Sequence, residues 1–138
     1  MSDPTLLTQR IVEFYEKLSS WEHSVVRDQG LTLPQVHALE ILGTHKALRM
    51  KELAEKMGVT TGTLTVLADR LVKAEMIQRK PHEKDRRSIL VELTEKGQAV
   101  FEEHDALHHQ LTHDITVSLS EEECEQFSSL LEKINREF

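Results

Sequence analysis

Apolar residues recur along most of this chain at steps of three and four, the period of a helix that buries one face. Between residues 5 and 28, Ile11, Phe14, Leu18, Trp21 and Val25 form a narrow seam suited to packing against other helices or a partner subunit. Gly30 can end this helix. A second helix opens with Thr32 as cap and Pro34 in the first turn, where a missing N–H costs nothing. Val36, Leu39, Ile41 and Leu42 are its buried face, and Gly43 and Thr44 close it. Residues 45–50 read as a short, partly basic connection.

The next stretch is denser in signals. Leu53, Ala54 and Met57 give a short helix an apolar face with a small residue at its contact point. Gly58 sits where the chain must turn sharply with positive φ, Val59 plugs the turn, and Thr60 can cap the following helix. Leu64, Leu67 and Leu71 line one side of that helix, which runs from about residue 61 to 74. Thr61, Gly62 and Thr65 leave the other side small and polar, a surface that suits a DNA major groove. Short helix-turn-helix patterns also occur in ordinary helical hairpins, so the neighbouring elements decide between the two.

After Ala74 the pattern shifts to that of strands. Residues 76–80 and 87–93 read as a hairpin around the charged turn Pro81-His-Glu-Lys-Asp, with Arg79, Lys80, Lys84, Arg86 and Arg87 crowding its tip. A hairpin directly after a reading helix makes a winged helix-turn-helix, whose wing can present arginine to a minor groove or to phosphates. Thr94 then starts a long helix through Val100, Leu107, Leu111 and Ile115. Ser118 or Ser120 caps the last one, with Glu123 placed for a capping box and Phe127, Leu130, Leu131, Ile134 and Phe138 as its apolar stripe. The predicted fold is mainly α: one subunit over 1–138, with a winged helix-turn-helix and two-stranded wing at 31–93 between amphipathic helices at 1–30 and 94–138.

Charge strengthens the DNA reading. The net charge is −7, yet residues 45–90 hold eleven Lys/Arg against six Asp/Glu, a local balance of +5 that leaves −12 for the remainder. Such segregation puts a basic working face on an acidic scaffold. The single cysteine, Cys124, excludes an intrachain disulfide framework and fits a reducing compartment. No apolar run reaches membrane-spanning length and no signal-peptide pattern opens the chain, so a cytoplasmic protein is expected.

The order of elements resembles the MarR family of bacterial transcriptional regulators. The residues that carry the resemblance are Leu31-Thr-Leu-Pro-Gln, Leu53-Ala-Glu-Lys-Met-Gly-Val, Asp69-Arg-Leu, Asp85-Arg-Arg and Leu93-Thr-Glu-Lys-Gly. The resemblance implies a homodimer joined through the helices at both ends of the chain. Each subunit would place a reading helix in a major groove and a wing in the flanking minor groove of a pseudo-palindromic operator. It also implies that Asp85 orients Arg87. Phosphate contacts are expected from Lys51, Lys73, Lys84 and Arg86, and base-edge contacts from Thr61, Thr63, Thr65 and Arg70, with Gly62 at the DNA surface allowing close approach and Arg87 in the minor groove. Val66 stands where that family often has a basic residue, and Glu75 where it usually has glycine, so the turn at Glu75 is expected to be either strained or differently shaped. A repressor modulated by a small ligand or metal ion is the expected function.

Histidines supply the candidate metal chemistry. His104 and His108 share a helical face at i, i+4, a two-pronged platform for zinc; His109 and His113 form a second pair rotated from the first. By similarity to the zinc-responsive, AdcR-like branch of the family, His37, His104 and His108 are the candidate ligands, with Glu22, His23 or Asp28 as first-helix partners. An ordinary polar helix face is the alternative. A metal-dependent hydrolase is the remote one, since the chain lacks HExxH, a glycine-rich phosphate loop and a nucleophile elbow. A winged helix that binds only protein is disfavoured by the basic centre.

Overall fold

The computed structural model describes residues 3–85 and 87–138. Six helices and three strands run in the order α1 (Pro4–Asp28), α2 (Leu33–His45), β1 (Ala47–Arg49), α3 (Met50–Met57), α4 (Thr61–Lys73), β2 (Ile77–Pro81), β3 (Ile89–Leu93), α5 (Glu95–Ile115) and α6 (Glu121–Glu137). The chain divides into two compact units, residues 1–101 and 102–138, with α5 contributing to each. No helix among the described residues is long and apolar enough to cross a membrane.

The first unit holds the apolar core. Leu39 and Leu42 from α2, Leu53 and Ala54 from α3, and Leu64, Ala68 and Leu71 from α4 pack with Leu48, Ile77 and Val91 of the sheet. Each leucine buried to this degree contributes roughly 1.5–3 kcal/mol of transfer free energy, so α2, α3 and α4 are anchored to one another and to the sheet. The sheet is antiparallel in the order β1-β3-β2, with Leu48 opposite Val91 and Arg79 opposite Val91 on the other side. The expected connection at 45–50 is therefore corrected. Ala47–Arg49 is a strand that makes the wing sheet three-stranded, and Met50 already begins α3. Leu48 explains the strand, because it is buried only when paired on β3.

Caps set the helix boundaries. Thr32 accepts the Gln35 N–H and Gln35 accepts the Thr32 N–H in return, a reciprocal box. The Thr60 hydroxyl accepts from the Thr63 N–H at 3.1 Å and fixes the start of α4. Three helices end in the same closing turn, in which one residue takes positive φ and the N–H groups beyond the helix fold back on its last turn. That residue is Gly30 (φ 74°) after α1, Gly58 (φ 68°) after α3 and Glu75 (φ 63°) after α4. At Glu75 the bonds are Glu75 N–H to Val72 O (2.9 Å) and Met76 N–H to Leu71 O (3.0 Å). The strain expected at this position is thus present.

The corner between α4 and β2 is also tied from outside. The Thr94 hydroxyl donates to Glu75 O at 2.5 Å while accepting the Gly97 N–H, and Lys96 Nζ donates to Ala74 O at 3.0 Å. In the second unit, Ser120 and Glu123 form the expected capping box at the start of α6. Phe127, Leu130, Leu131 and Ile134 lie on the exposed surface of that helix.

Candidate nucleic-acid interface

α4 turns Leu64, Ala68 and Leu71 inward and leaves Thr61, Gly62, Thr65, Val66, Asp69, Arg70 and Lys73 outside the core. Helical spacing puts Gly62, Val66, Asp69 and Lys73 along the middle of the outer face, with Thr61 and Thr65 on one flank and Thr63 and Arg70 on the other. Hydroxyl roles are partly set. Thr65 spends its proton on Thr61 O at 2.8 Å, so outward it presents a methyl group and an acceptor. Thr63 accepts from the Thr60 hydroxyl at 3.0 Å and keeps its own proton to donate. With no long side chain at Gly62 and a bare methyl pair at Val66 (56% exposed), the centre of this face allows close approach to a groove floor rich in thymine methyls.

Lys51 is exposed in the first turn of α3, and Lys73 in the last turn of α4. Lys84 and Arg87 are exposed on the wing. Arg86 lies outside the described residues. Asp85 is half-buried on the wing, where its carboxylate accepts the Arg87 N–H at 3.0 Å and the Ser88 hydroxyl at 3.1 Å. Those two donors hold its carboxyl below the usual carboxylate range, helped by the charge of Arg49. The aspartate thus holds the backbone of Arg87, so that the loop, rather than a side-chain ion pair, sets where the arginine starts.

Two wing contacts were not anticipated from sequence. Arg79 on β2 reaches back to Asp69 of α4 at 2.5 Å, joining the wing to the reading helix. Lys80 pairs with Glu92 across the hairpin at 2.8 Å, and Gln78 also donates to Glu92; both hold the Glu92 carboxyl below its ordinary range. The signal for the first was an acidic residue on the outer face of a helix otherwise read as facing DNA, which needs a cation to neutralise it.

An exposed, small-residue helix backed by a packed core and continued by a basic hairpin is the geometry of a DNA reader, and comparison with known proteins bears this out. The family model described as MarR family matches residues 31–89, the stretch from α2 to the wing. The HTH-type transcriptional repressor MdtR of Bacillus subtilis (strain 168) is 33% identical over 134 residues, covering 97% of this chain and 84% of that one. The chain belongs to the MarR family. A MarR family protein from Bacillus stearothermophilus superposes with a TM-score of 0.89 at 26% identity, over 99% of this chain and 97% of that one. Streptococcus pneumoniae FabT, solved in complex with DNA, shares the fold with a TM-score of 0.87 at 21% identity, over 97% and 96% of the two chains. Membership in the MarR family makes this chain a DNA-binding transcriptional regulator and not an enzyme.

MarR membership leaves the histidines to be placed. In the second unit, His104 and His108 bring their Nε2 atoms to 3.1 Å, with ring centroids 4.7 Å apart and His104 only 1% exposed. Their shared helical face is as expected. His109 instead pairs with Asp105, and His113 is exposed. In the first unit, the carboxylates of Glu22 on α1 and Glu40 on α2 converge to within 4.8 Å, while His37 is exposed and stands outside that convergence. Of the first-helix candidates, His23 is engaged with Ser19 O at 2.7 Å.

Proposed function

We propose that this regulator acts as a homodimeric repressor on a pseudo-palindromic operator, with α4 of each subunit in a major groove and each wing over the flanking minor groove. The observation that carries this reading is the outer face of α4, exposed and small along its centre while its inner face is locked into the core. Thr61, Thr63, Thr65 and Arg70 read base edges, and Gly62 lets the helix approach the groove closely. Lys51, Lys73, Lys84 and Arg86 hold phosphates, and Arg87, whose backbone Asp85 orients, enters the minor groove. Residues 31–93 carry the DNA contact, and residues 1–30 and 94–138 join the two copies. In support, Leu7, Ile11 and Tyr15 are exposed along α1, and Leu130 and Ile134 along α6. The protein works in the cytoplasm, where DNA and a reduced Cys124 are both found.

An effector that prefers one separation of the two reading helices shifts operator affinity through its differential binding to the two states. The test of the DNA reading is operator affinity as a function of salt. Charge reversal at Lys84, Arg86 and Arg87 should weaken binding and flatten the slope, by about 0.9 for each phosphate no longer neutralised. Unchanged affinity in the triple variant would refute the assignment of the wing.

A second reading makes the effector a zinc-class metal ion held by His104 and His108. The supporting observation is their Nε2 separation of 3.1 Å. Two nitrogens at zinc-ligand distance on a tetrahedral ion lie about 3.3 Å apart, so the pair needs little adjustment to chelate one. Once bound, such an ion would supply charge and a fixed cross-link, and no chemistry. His37 was the expected third ligand, and its exposure makes it the weaker candidate. Metal analysis of the purified protein and of His104→Ala tests this reading. Equal metal content in the two, with no metal effect on DNA affinity, would rule it out.

A further inference from the structure

We propose that His82 is a positioning residue of the DNA interface, one whose ring nitrogen holds the wing tip in the shape that presents Lys84 and Arg87. The proposal rests on the reading of the wing as a DNA contact. At the tip the ladder between β2 and β3 runs out, and the N–H groups of the turn need partners other than strand carbonyls. The His82 N–H adds one last rung to Ser88 O at 3.1 Å. Beyond it, the backbone N–H groups of Lys84 and Asp85 both point at His82 Nδ1, at 3.1 and 3.2 Å. Asp85 then passes the order on, through its carboxylate to the Arg87 N–H and the Ser88 hydroxyl, and through its carbonyl to the Ser88 N–H at 3.0 Å.

Two amide donors on one ring nitrogen fix its state. Nδ1 must be the unprotonated acceptor, so in the neutral ring the proton sits on Nε2. The imidazole does for this turn what an Asn or Asp side chain does in an Asx turn, where a side-chain oxygen accepts the N–H two residues on. Asn Oδ1 lies about where His Nδ1 lies, one atom beyond Cγ, whereas the amide of Gln begins one bond further out. The side chains that can replace His82 are therefore defined by atom position and not by size or charge.

The test is a set of three variants, each with DNA affinity and amide hydrogen exchange measured on the full-length protein. His82→Ala and His82→Gln should weaken binding roughly tenfold, the equivalent of removing two net hydrogen bonds, and should speed exchange at Lys84 and Asp85. His82→Asn should stay within about threefold of the parent, with slow exchange retained. A merely bulky or polar role would make Gln the better replacement. Alanine matching the parent in both readouts, or Asn failing as badly as Ala, overturns the proposal. Arg87→Ala separates the two layers. If it leaves affinity unchanged, the wing does not touch DNA, and the exchange data alone then decide whether His82 holds the turn.

Discussion

Glu75→Gly should stabilise this protein, although glycine usually costs stability. The reason lies in the three closing turns of the first unit. Two use glycine at the positive-φ position, at φ 74° and 68°, and the third forces Glu75 to 63°. A side chain in the left-handed region costs roughly 1–2 kcal/mol through the clash of Cβ with the neighbouring carbonyl. Glycine relieves this but gains freedom in the unfolded chain, which takes back about 0.4–1 kcal/mol. The contacts of Glu75 within the turn are made by its backbone, to Val72 O and from the Thr94 hydroxyl, and they survive the substitution; its side chain is exposed. The net expectation is a gain of about 0.5–1 kcal/mol, or on the order of 2–4 °C in Tm for a chain of this size. Urea unfolding at fixed protein concentration reads it, as a higher midpoint with unchanged slope. Glu75→Ala is the control, because it removes the carboxylate and keeps the Cβ. If Gly is no more stable than Ala, the turn holds no strain and the reasoning is wrong.

Two further expectations rest on single contacts. Gly97→Ala would place a Cβ 1.9 Å from the backbone carbonyl oxygen of Met76, where nothing flexible can yield; a loss of about 3 kcal/mol or more in chemical unfolding is expected, and a loss below about 1 kcal/mol would show that α5 can shift away. The lowered carboxyl of Asp85 stabilises the wing turn at any pH above its ordinary value of 3.8, and that contribution disappears as pH falls through its lower folded-state value. Amide shifts of Arg87 and Ser88 should therefore titrate together below 3.8 in the parent and stay flat in Asp85→Asn.

Local interactions were legible in the residues, and cross-chain ones were not. The caps at Thr32, Thr60 and Ser120 involve partners three positions away, so a window of four residues contains the whole interaction. The apolar periodicity of α4 likewise declares its inner and outer faces. The strand Ala47–Arg49 escaped because three residues show no alternation, and its reason for existing, Val91, lies more than forty positions on. Arg79 reads as one more wing-tip cation for the same reason: only the folded hairpin brings it to Asp69. His82 carries no sequence signal for its role, because whether an imidazole nitrogen meets turn N–H groups depends on the folded path of the hairpin tip. The pairing of His104 with His108 could be read from their spacing, whereas the exposure of His37 depends on how α2 is seated in the core.

Selection of bound duplexes from a random pool by the purified protein tests the central claim most directly. Two reading helices related by a dimer axis should enrich an inverted repeat whose half-sites are centred about one helical turn, or roughly 10 base pairs, apart. Thr65→Val and Arg70→Ala should change the preferred bases symmetrically in both halves. Enrichment of a single asymmetric half-site, or of no sequence at all, would contradict it.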